Sequence, residues 1–271
     1  MVFHSGELAV QQRAGVREFA DRLEGMLDPP NLLGGLGRFL AGRTYAAISA
    51  RDRAGELWVS PLIGDPGFLD VTGPHQLRVH ATPGSPLHDL AAGQSVGLLV
   101  IEYAIRRRVR INGQLVAATA GALDIDVVEA FGNCPQRIPP DVVPHGSPSA
   151  HTTSHTTLTA ADRELITSAE TFVFGTTHAT RGNDASHRGG PAGFVQVDAA
   201  GTTVTWPDYP GNNMFNSLGN VALDPTAALL FTDFATGTTL HLTGTAEIAW
   251  TGTDRSVVFH VNQAISVGVP A

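Results

Sequence analysis

An internal repeat is the feature that most constrains how this chain can fold. SPLIGDPGFLDV at residues 60–71 returns as SHRGGPAGFVQV at residues 186–197. A second pair follows in the same order, LLVIEYAIRRRVRING at 98–113 and LLFTDFATGTTLHLTG at 229–244. Solenoid repeats have periods of about 20 to 50 residues, and this spacing is far longer. The repeat therefore predicts two similar domains, which need not serve one function equally.

Length and charge fit this division and argue against one class of partner. The 271 residues are enough for two domains that each bury a core. The net charge of -8 argues against nucleic-acid binding, which needs a concentrated basic face. The run from Arg106 to Arg108, followed by Arg110, is a local exception. We expect a small-molecule substrate and no nucleic-acid partner.

Cysteine usage and hydropathy indicate the compartment. Cys134 is the single cysteine, so no intrachain disulfide can form. No apolar run approaches the roughly 18 residues of a membrane span. The N-terminus, MVFHSGELAVQQRAG, lacks a basic segment followed by an apolar one and does not read as a secretory signal. We expect a cytoplasmic protein with no membrane partner.

The secondary-structure pattern is mainly β with flanking helices, an α+β class. Apolar spacing predicts a helix over 5–28, capped by Ser5, and a second short helix over 31–40. His4 and Glu7 are interpreted as capping residues of the first helix. Short runs bounded by Gly, Pro and Asp predict strands at 44–49, 56–61, 67–71, 76–81, 98–102 and 108–115, then 171–177, 193–197, 202–206, 228–234, 239–250 and 256–264.

One short helix interrupts each strand set before its last long hairpin, at 86–92 and at 214–223. This is a split-barrel pattern, and it predicts two tandem split β-barrels. The predicted organisation is an N-terminal helical segment (1–40), a first barrel domain (41–130), a connector (131–160) and a second barrel domain (161–271).

The segment between the copies reads as a linker or exposed loop. It is HGSPSAHTTSHTT at 145–157, rich in Ser, Thr, His and Pro. His151 and His155 have i,i+4 spacing, but a metal site at that spacing needs a helix, and a Ser/Thr run is a poor one. We therefore predict no metal site. Thr159 and Asp162 then form a predicted capping box that opens a helix.

The stretch from Arg181 to Asn220 carries the richest chemistry. Its polar side chains alternate with glycines, which let a ligand approach the backbone. Arg188 can grip a phosphate through two parallel hydrogen bonds, and Ser186 can add a hydroxyl. Asparagine side chains both donate and accept, which suits a polar ring edge or a polyol. The alternative is ordinary turn chemistry, which the spacing alone favours.

These residues resemble the pyridoxamine 5′-phosphate oxidase-like family of FMN-binding split barrels, and more closely a bacterial subgroup with tandem copies. In the second half the resemblance lies in DASHRGGPAGFVQV, PDYPGNNMFNSLGN, LLFTDF and LTGTAE. In the first half it lies in FHSGELAVQQRAG, VSPLIGDPGF, RRRVRINGQL and GNCPQRI. Each motif is loose, but their order and spacing cover most of the chain.

The resemblance implies Greek-key-like barrels, often dimeric, with FMN in a cleft between them. Carried onto this chain, it implies phosphate and ribityl contacts from Ser186, Arg188 and residues 211–216 of the second copy, with an arginine strand of the first copy near the cofactor. The candidate cofactor-binding residues are Ser186, His187, Arg188, Gly189, Pro207, Asp208, Gly211, Asn212, Asn213, Asn216, Arg108 and Arg110.

The first copy departs from the pattern at its cofactor loops. Leu62 stands where the second copy has Arg188, and HATPGSPLHDL at 80–90 replaces PDYPGNNMFNSL. The arginine that would bind the phosphate is missing there, so we do not expect FMN in the first barrel. The first copy instead keeps the arginine strand, where alternation places Arg108 and Arg110 on one face. We predict one composite site; the alternative for the arginine run is a solvated strand face.

No catalytic residue is assigned from the sequence. His187 is a candidate proton donor to reduced flavin or substrate, with a packing role as the alternative. A nucleophilic role for Cys134 needs a cation or helix N-terminus to lower its pKa, and no histidine lies near it in the sequence to supply this. The family motif implies instead that its loop helps to close the pocket.

The resulting function hypothesis is an FMN-dependent oxidoreductase of reductase, oxidase or monooxygenase type. Its substrate is an unidentified small molecule, and NAD(P)H is a candidate electron donor. The alternatives are a non-catalytic flavin-binding protein and a haem-binding split barrel, with deazaflavin as a further cofactor candidate. A homodimer is one arrangement of the barrels, and pairing of the two copies within one chain is the other.

Overall fold

The computed structural model describes residues 3–23, 25, 30–132, 135–140, 142 and 151–268. The helices are α1 (Ser5–Arg13), α2 (Arg17–Asp21), α3 (Gly35–Ala41), α4 (Ala160–Ser168) and α5 (Asn216–Val221). The strands before the connector are β1 (Tyr45–Arg51), β2 (Leu57–Ile63), β3 (Leu69–Gly73), β4 (Gln76–Val79), β5 (Gln94–Glu102), β6 (Arg107–Ala118) and β7 (Leu123–Gly132). Those after it are β8 (His151–His155), β9 (Thr171–His178), β10 (Gly182–Gly189), β11 (Gln196–Val197), β12 (Thr203–Pro207), β13 (Thr226–Thr232), β14 (Thr239–Thr251) and β15 (Asp254–Gly268).

Two antiparallel sheets repeat one strand order. The first runs β2-β1-β5-β6-β7-β4-β3, and the second runs β10-β9-β13-β14-β15-β12-β11, with β8 added on β15. Each strand of the first sheet therefore has a counterpart at the same place in the second. The chain is mainly β and consists of two tandem split barrels, which confirms the predicted fold class.

The two barrels pack against each other within the chain. Each contact made by a strand of one copy is repeated by the counterpart strands on the other side. Strand β2 of the first barrel lies on β13 and β14 of the second, while β10 lies on the counterparts β5 and β6. Each barrel has its own apolar core. A third cluster joins them, with residues of both copies such as Val59 and Ile101 from the first and Val173 and Leu230 from the second. The arrangement is a pseudo-twofold pair with two related junctions.

Close backbone approach sets the fit at one of these junctions. An added Cβ at Gly97 on β5 would lie 2.6 Å from the Cα of Asp184 on β10. Contacts this short do not occur with ordinary side chains, so β10 can lie on β5 only because residue 97 is glycine. The glycine thereby brings the polar strand β10 against the first barrel.

The N-terminal prediction of one long helix is wrong. Helix α1 begins after His4, which caps it in place of Ser5, and it ends in a Schellman motif around Gly15 at φ 71°. In that motif the N–H groups of Gly15 and Val16 donate to the carbonyls of Gln12 and Gln11. Helix α2 follows separately, and residues 26–29 lie outside the described residues. The second predicted helix corresponds to α3.

The predicted helices inside the barrels differ in outcome. Helix α5 lies within the predicted range 214–223. Residues 86–92 form turns instead of a helix, because Pro83, Gly84 and Pro86 oppose helical hydrogen bonding at its start. The capping box of Thr159 and Asp162 is confirmed, since each backbone N–H donates to the other side chain.

Every predicted strand overlaps an observed one, but three strands were missed. Residues 151–155, predicted as part of an exposed loop, pair with β15 as β8. Strand β7 was missed although Leu123, Ile125 and Val127 alternate with polar residues. Strand β10 was missed because its polar sequence was interpreted as turns. Among the described residues, no helix is both long and apolar enough to cross a bilayer.

Candidate functional site

A cavity of about 120 Å³ lies at the junction where β10 meets the first barrel. Its walls come from the end of β10, from residues 206–218 and from β6 of the first barrel. The predicted residues that line it are Arg108, Arg110, His187, Arg188, Gly189, Pro207, Asp208, Gly211, Asn212, Asn213 and Asn216. The structure thus brings together the arginine strand of one copy and the polar loops of the other.

Ser186 is the one predicted site residue that does not line this cavity. Its side chain is fully buried, and its hydroxyl lies 3.2 Å from the Phe174 carbonyl and 2.9 Å from the Ser217 hydroxyl. Alternation places Ser186 on the same face of β10 as Arg188, two residues further from the end of the strand. Ser186 therefore supports the cavity from beneath through Ser217, which does line it.

Arg108 and Arg110 share one face of β6, as the alternation predicts. Arg108 contacts the His187 ring, and Arg110 donates to the Ser217 hydroxyl at 2.9 Å. Arg110 is only 8% exposed, so the solvated-face interpretation is wrong for it. Arg107 points elsewhere and stacks on Phe39.

Arg188 faces the cavity from β10 and forms an ion pair with Asp208 at 3.0 Å. Arg255 contacts the other oxygen of the same carboxylate at 2.6 Å. The buried Nε–H of Arg188 has no hydrogen-bond partner. Burial lowers the pKa of the Arg188 guanidinium from its usual value, and Arg110 contributes in the same direction while Asp208 opposes it. An anion in the cavity would relieve both the unpaired donor and the desolvated charge.

His187 is a neutral imidazole that can donate a hydrogen bond, and it does not carry the second ring proton of an imidazolium. A guanidinium can only donate, so the contact of Arg108 with Nδ1 places the ring proton on Nε2. That Nε2 is buried and has no partner. Burial, followed by the charges of Arg108 and Arg188, lowers the pKa of His187 well below its usual value. The neutral imidazole therefore offers Nε2–H to an acceptor.

Aromatic side chains that were absent from the predicted site form its less polar part. Tyr209 stacks on Phe194, and the Arg137 guanidinium lies 3.6 Å from the Tyr209 ring centroid. Trp206 and Phe215 also line the cavity. Arg137 follows the predicted GNCPQ closing loop, whose Gln136 lines the cavity while Cys134 lies outside the described residues. Tyr209 stood within the polar stretch, but no spacing marked Arg137.

Backbone strain concentrates at this cavity. In the described part of the chain, four residues other than glycine have positive φ: Arg106, Arg137, Asn213 and Phe215. Three of them line the cavity. Such conformations persist only where surrounding contacts enforce them, and they cluster at functional sites.

The N-terminal helix supports the cavity from behind. Glu7 accepts from the His4 backbone N–H at 2.8 Å, which confirms the capping interpretation. Its other oxygen accepts from the Asn216 side chain at 2.6 Å, a contact the sequence did not indicate. Gln11 donates to the Met214 carbonyl at 3.0 Å. The segment outside the repeat thus holds the residues of the cavity loop.

At the related junction on the other side of the pseudo-twofold axis, the counterparts of Arg108, Arg110 and Arg188 contact protein groups. His241, the counterpart of Arg110, donates from Nδ1 to the Val59 carbonyl at 2.7 Å. Its Nε2 then accepts from the hydroxyl of Thr239, the counterpart of Arg108. Burial lowers the pKa of His241 to about 4. Leu62, the counterpart of Arg188, is fully buried in the first barrel core.

No protein-family model and no curated protein matches the chain. Similar solved structures include a Clostridium acetobutylicum protein related to general stress protein 26, of the pyridoxinephosphate oxidase family (16% identity, 37% of this chain and 81% of that one, TM-score 0.28). Another is the FAD binding protein from Mycobacterium smegmatis (14% identity, 44% and 100%, TM-score 0.31). A third is described as an F420 reductase (12% identity, 38% and 94%, TM-score 0.28). The fold itself rests on the strand order above.

Proposed function

We propose that this chain binds one FMN at the junction cavity and acts as an FMN-dependent oxidoreductase. The observation that carries the proposal is the convergence of Arg108, Arg110 and Arg188 on a cavity lined by three residues with unpaired buried donors. These donors are Nε of Arg188, Nε2 of His187 and Nε1 of Trp206. Guanidinium groups suit phosphate because they donate two parallel hydrogen bonds.

The charge balance supports a phosphate monoester. The ionic groups around the cavity are Arg108, Arg110, Arg137, Arg188 and Arg255 against Asp184 and Asp208. With His187 neutral, this set carries three positive charges in excess, enough to balance a phosphate. A phosphate monoester carries roughly 1.5 to 2 negative charges at neutral pH. The residues present therefore fit the FMN phosphate.

The rest of the cavity suits an aromatic ring system with polar edges. Tyr209, Trp206 and Phe215 supply apolar surface, and Asn212, Asn213 and Asn216 supply amides that donate and accept. When bound, FMN would supply the redox chemistry, and the protein would bind it, orient it and limit water. His187 would donate a hydrogen bond from Nε2, and its low pKa argues against a proton-delivering role. NAD(P)H remains our candidate electron donor.

Haem is the less favoured cofactor. It needs an axial ligand with an available lone pair, and His187 uses Nδ1 to accept from Arg108 while Nε2 carries the proton. A deazaflavin phosphate would share the anion grip with FMN. A flavin carrier without catalysis would use the same residues and differ only in reactivity.

The binding test compares FMN with riboflavin, which lacks the phosphate. Wild-type protein should bind FMN tightly, with a stoichiometry of one per chain, and riboflavin much more weakly. Arg188→Ala should lose FMN, whereas Arg53→Ala, which removes an exposed arginine of the first domain, should retain it. Equal FMN affinity in wild type and Arg188→Ala would refute the site.

The activity test follows the absorbance of the bound flavin. Bleaching by NADPH or NADH under anaerobic conditions, with recovery on admission of oxygen or another acceptor, supports an oxidoreductase. Flavin that binds but is neither reduced nor reoxidised supports the carrier. An intense Soret band in the purified protein would support haem instead.

A further inference from the structure

Glu7 is a buried carboxylate at the start of α1, and it is not one of the residues that line the cavity. Its helix precedes the first barrel in sequence but docks on α5 of the second. The approach is close, since an added Cβ at Gly6 would lie 2.1 Å from the Gly219 carbonyl oxygen. The docking brings Glu7, which is 3% exposed, against the loop that forms the cavity.

Glu7 is linked to the cavity through a single amide. Its Oε1 accepts from Nδ2 of Asn216 at 2.6 Å, and Oδ1 of Asn216 accepts from Arg110 at 3.4 Å. Arg110 continues the chain to Ser217, which hydrogen-bonds Asp184. Asn216 therefore stands between a group that accepts and a group that only donates.

This arrangement fixes which way the Asn216 amide points. The backbone N–H of His4 requires an acceptor from Glu7, and Oε2 supplies it. An ionised carboxylate also offers an acceptor to Asn216, so the amide NH₂ faces Glu7 and its oxygen faces Arg110. A protonated Glu7 would direct its hydroxyl at Asn216 and attract the amide oxygen. The NH₂ group would then face the guanidinium, where two donors meet without an acceptor.

We propose that Glu7 is a positioning residue for the proposed FMN site, because its carboxylate orients the Asn216 amide that holds Arg110 in the cavity. The inference rests on the proposed function for its ligand and on the structure alone for its geometry. The carboxylate in this contact comes from α1, which lies outside both copies of the repeat.

The ionisation of Glu7 falls in a range that makes the role measurable. Burial raises the pKa of Glu7 to about 7, with the His4 backbone N–H and Arg181 opposing that shift. The groups that face it are His4 from the helix cap, His178 from β9, Arg181 from the following turn, Glu129 from β7 and Asp184 from β10. Burial lowers the pKa of His4 to about 4 and lowers that of His178 as well. Glu7 is thus the group we expect to titrate across neutral pH.

Glu7→Gln should reproduce the protonated state at every pH. The introduced glutamine side chain must give its oxygen to the His4 N–H and its NH₂ to Asn216, which turns the Asn216 amide as protonation does. FMN should bind wild type about fivefold more tightly than Glu7→Gln at pH 8.5, as expected for about one hydrogen bond. The ratio should approach one at pH 5.5. Titration of the FMN phosphate affects both proteins and cancels in the ratio.

Glu18→Gln is the matched control, because it removes an exposed carboxylate of the same N-terminal segment. It should match wild type at both pH values. A ratio for Glu7→Gln that stays constant with pH, or equals one throughout, would overturn the positioning role. A constant ratio above one would indicate a structural effect of the substitution alone.

A second measurement needs no flavin and separates this inference from the proposed function. The side-chain amide resonances of Asn216 should titrate near pH 7 in wild type and remain fixed in Glu7→Gln. If wild type binds no FMN, the proposed function fails and this titration still decides the role of Glu7. Resonances that are insensitive to pH in both proteins would refute it.

Discussion

The two junctions between the barrels use the same strands and reach opposite outcomes. At the junction of β10 with β6, Arg188 and His187 leave buried donors unpaired beside a cavity that Arg110 also lines. At the junction of β2 with β14, His241 satisfies both of its ring nitrogens within the protein. Two substitutions at matched positions, arginine to histidine and arginine to leucine, thus separate a binding junction from a structural one.

The largest expected effect comes from removing the arginine that distinguishes them. Arg110→Leu should weaken FMN binding by about 3 to 6 kcal/mol, roughly 100-fold or more, because two charge-assisted hydrogen bonds are lost. His241→Leu should leave FMN affinity near wild type, since His241 does not line the cavity. Isothermal titration with FMN measures both.

Thermal unfolding of the same two variants provides the folding control. His241→Leu should lower stability by about 1 to 3 kcal/mol, because the buried Val59 carbonyl loses its donor. If His241→Leu loses FMN as fully as Arg110→Leu while still folded, the division between the junctions is wrong.

The next effect is a dependence of stability on pH at the junction that contains His241. The pKa of His241 is about 4 in the folded protein and about 6.5 when unfolded. As pH falls below 6.5, the unfolded chain takes up a proton that folded His241 refuses, so stability falls. Between pH 7.5 and pH 5 this corresponds to about 2 kcal/mol.

Urea unfolding at the two pH values checks this term. The decrease should be smaller by that amount in His241→Leu, while the other histidines contribute equally to both proteins. An identical decrease in the variant and the wild type would show that His241 is not held neutral by burial.

The smallest expected effect comes from the close approach of β5 to β10 at one junction and of the counterpart strands β13 and β2 at the other. Gly97→Ala places a methyl group against the backbone of Asp184 and should destabilise the protein by at least about 1 kcal/mol. It should also weaken FMN binding, because β10 must shift. At the matched position of the other copy, Ala228→Gly should lower stability by about 1 kcal/mol and leave FMN binding unchanged. Equal FMN affinity in both variants would show that the cavity tolerates movement of β10.

The sequence predicted the parts of the molecule whose physical signal is local. Apolar runs between turn residues marked most strands, and the comparison of copies joined Arg108 and Arg110 to the loop of the second barrel. Strand β10 was missed because a strand buried between two barrels lacks the alternation of a half-exposed one. The link from Glu7 to Asn216 was missed because it spans 209 positions and depends on where α1 docks. Arg137 and Tyr209 meet only through the same kind of distant contact.

Because both barrels lie on one polypeptide, dilution of the protein does not separate them. A cavity shared between separate subunits would come apart as protein concentration falls, and ligand affinity would fall with it. Here the two walls are tethered, so their encounter is intramolecular and does not depend on concentration. In addition, a substitution in this chain changes only one of the two barrels, whereas a substitution in a symmetric homodimer changes both subunits. One junction could therefore lose its arginines while the other retained them.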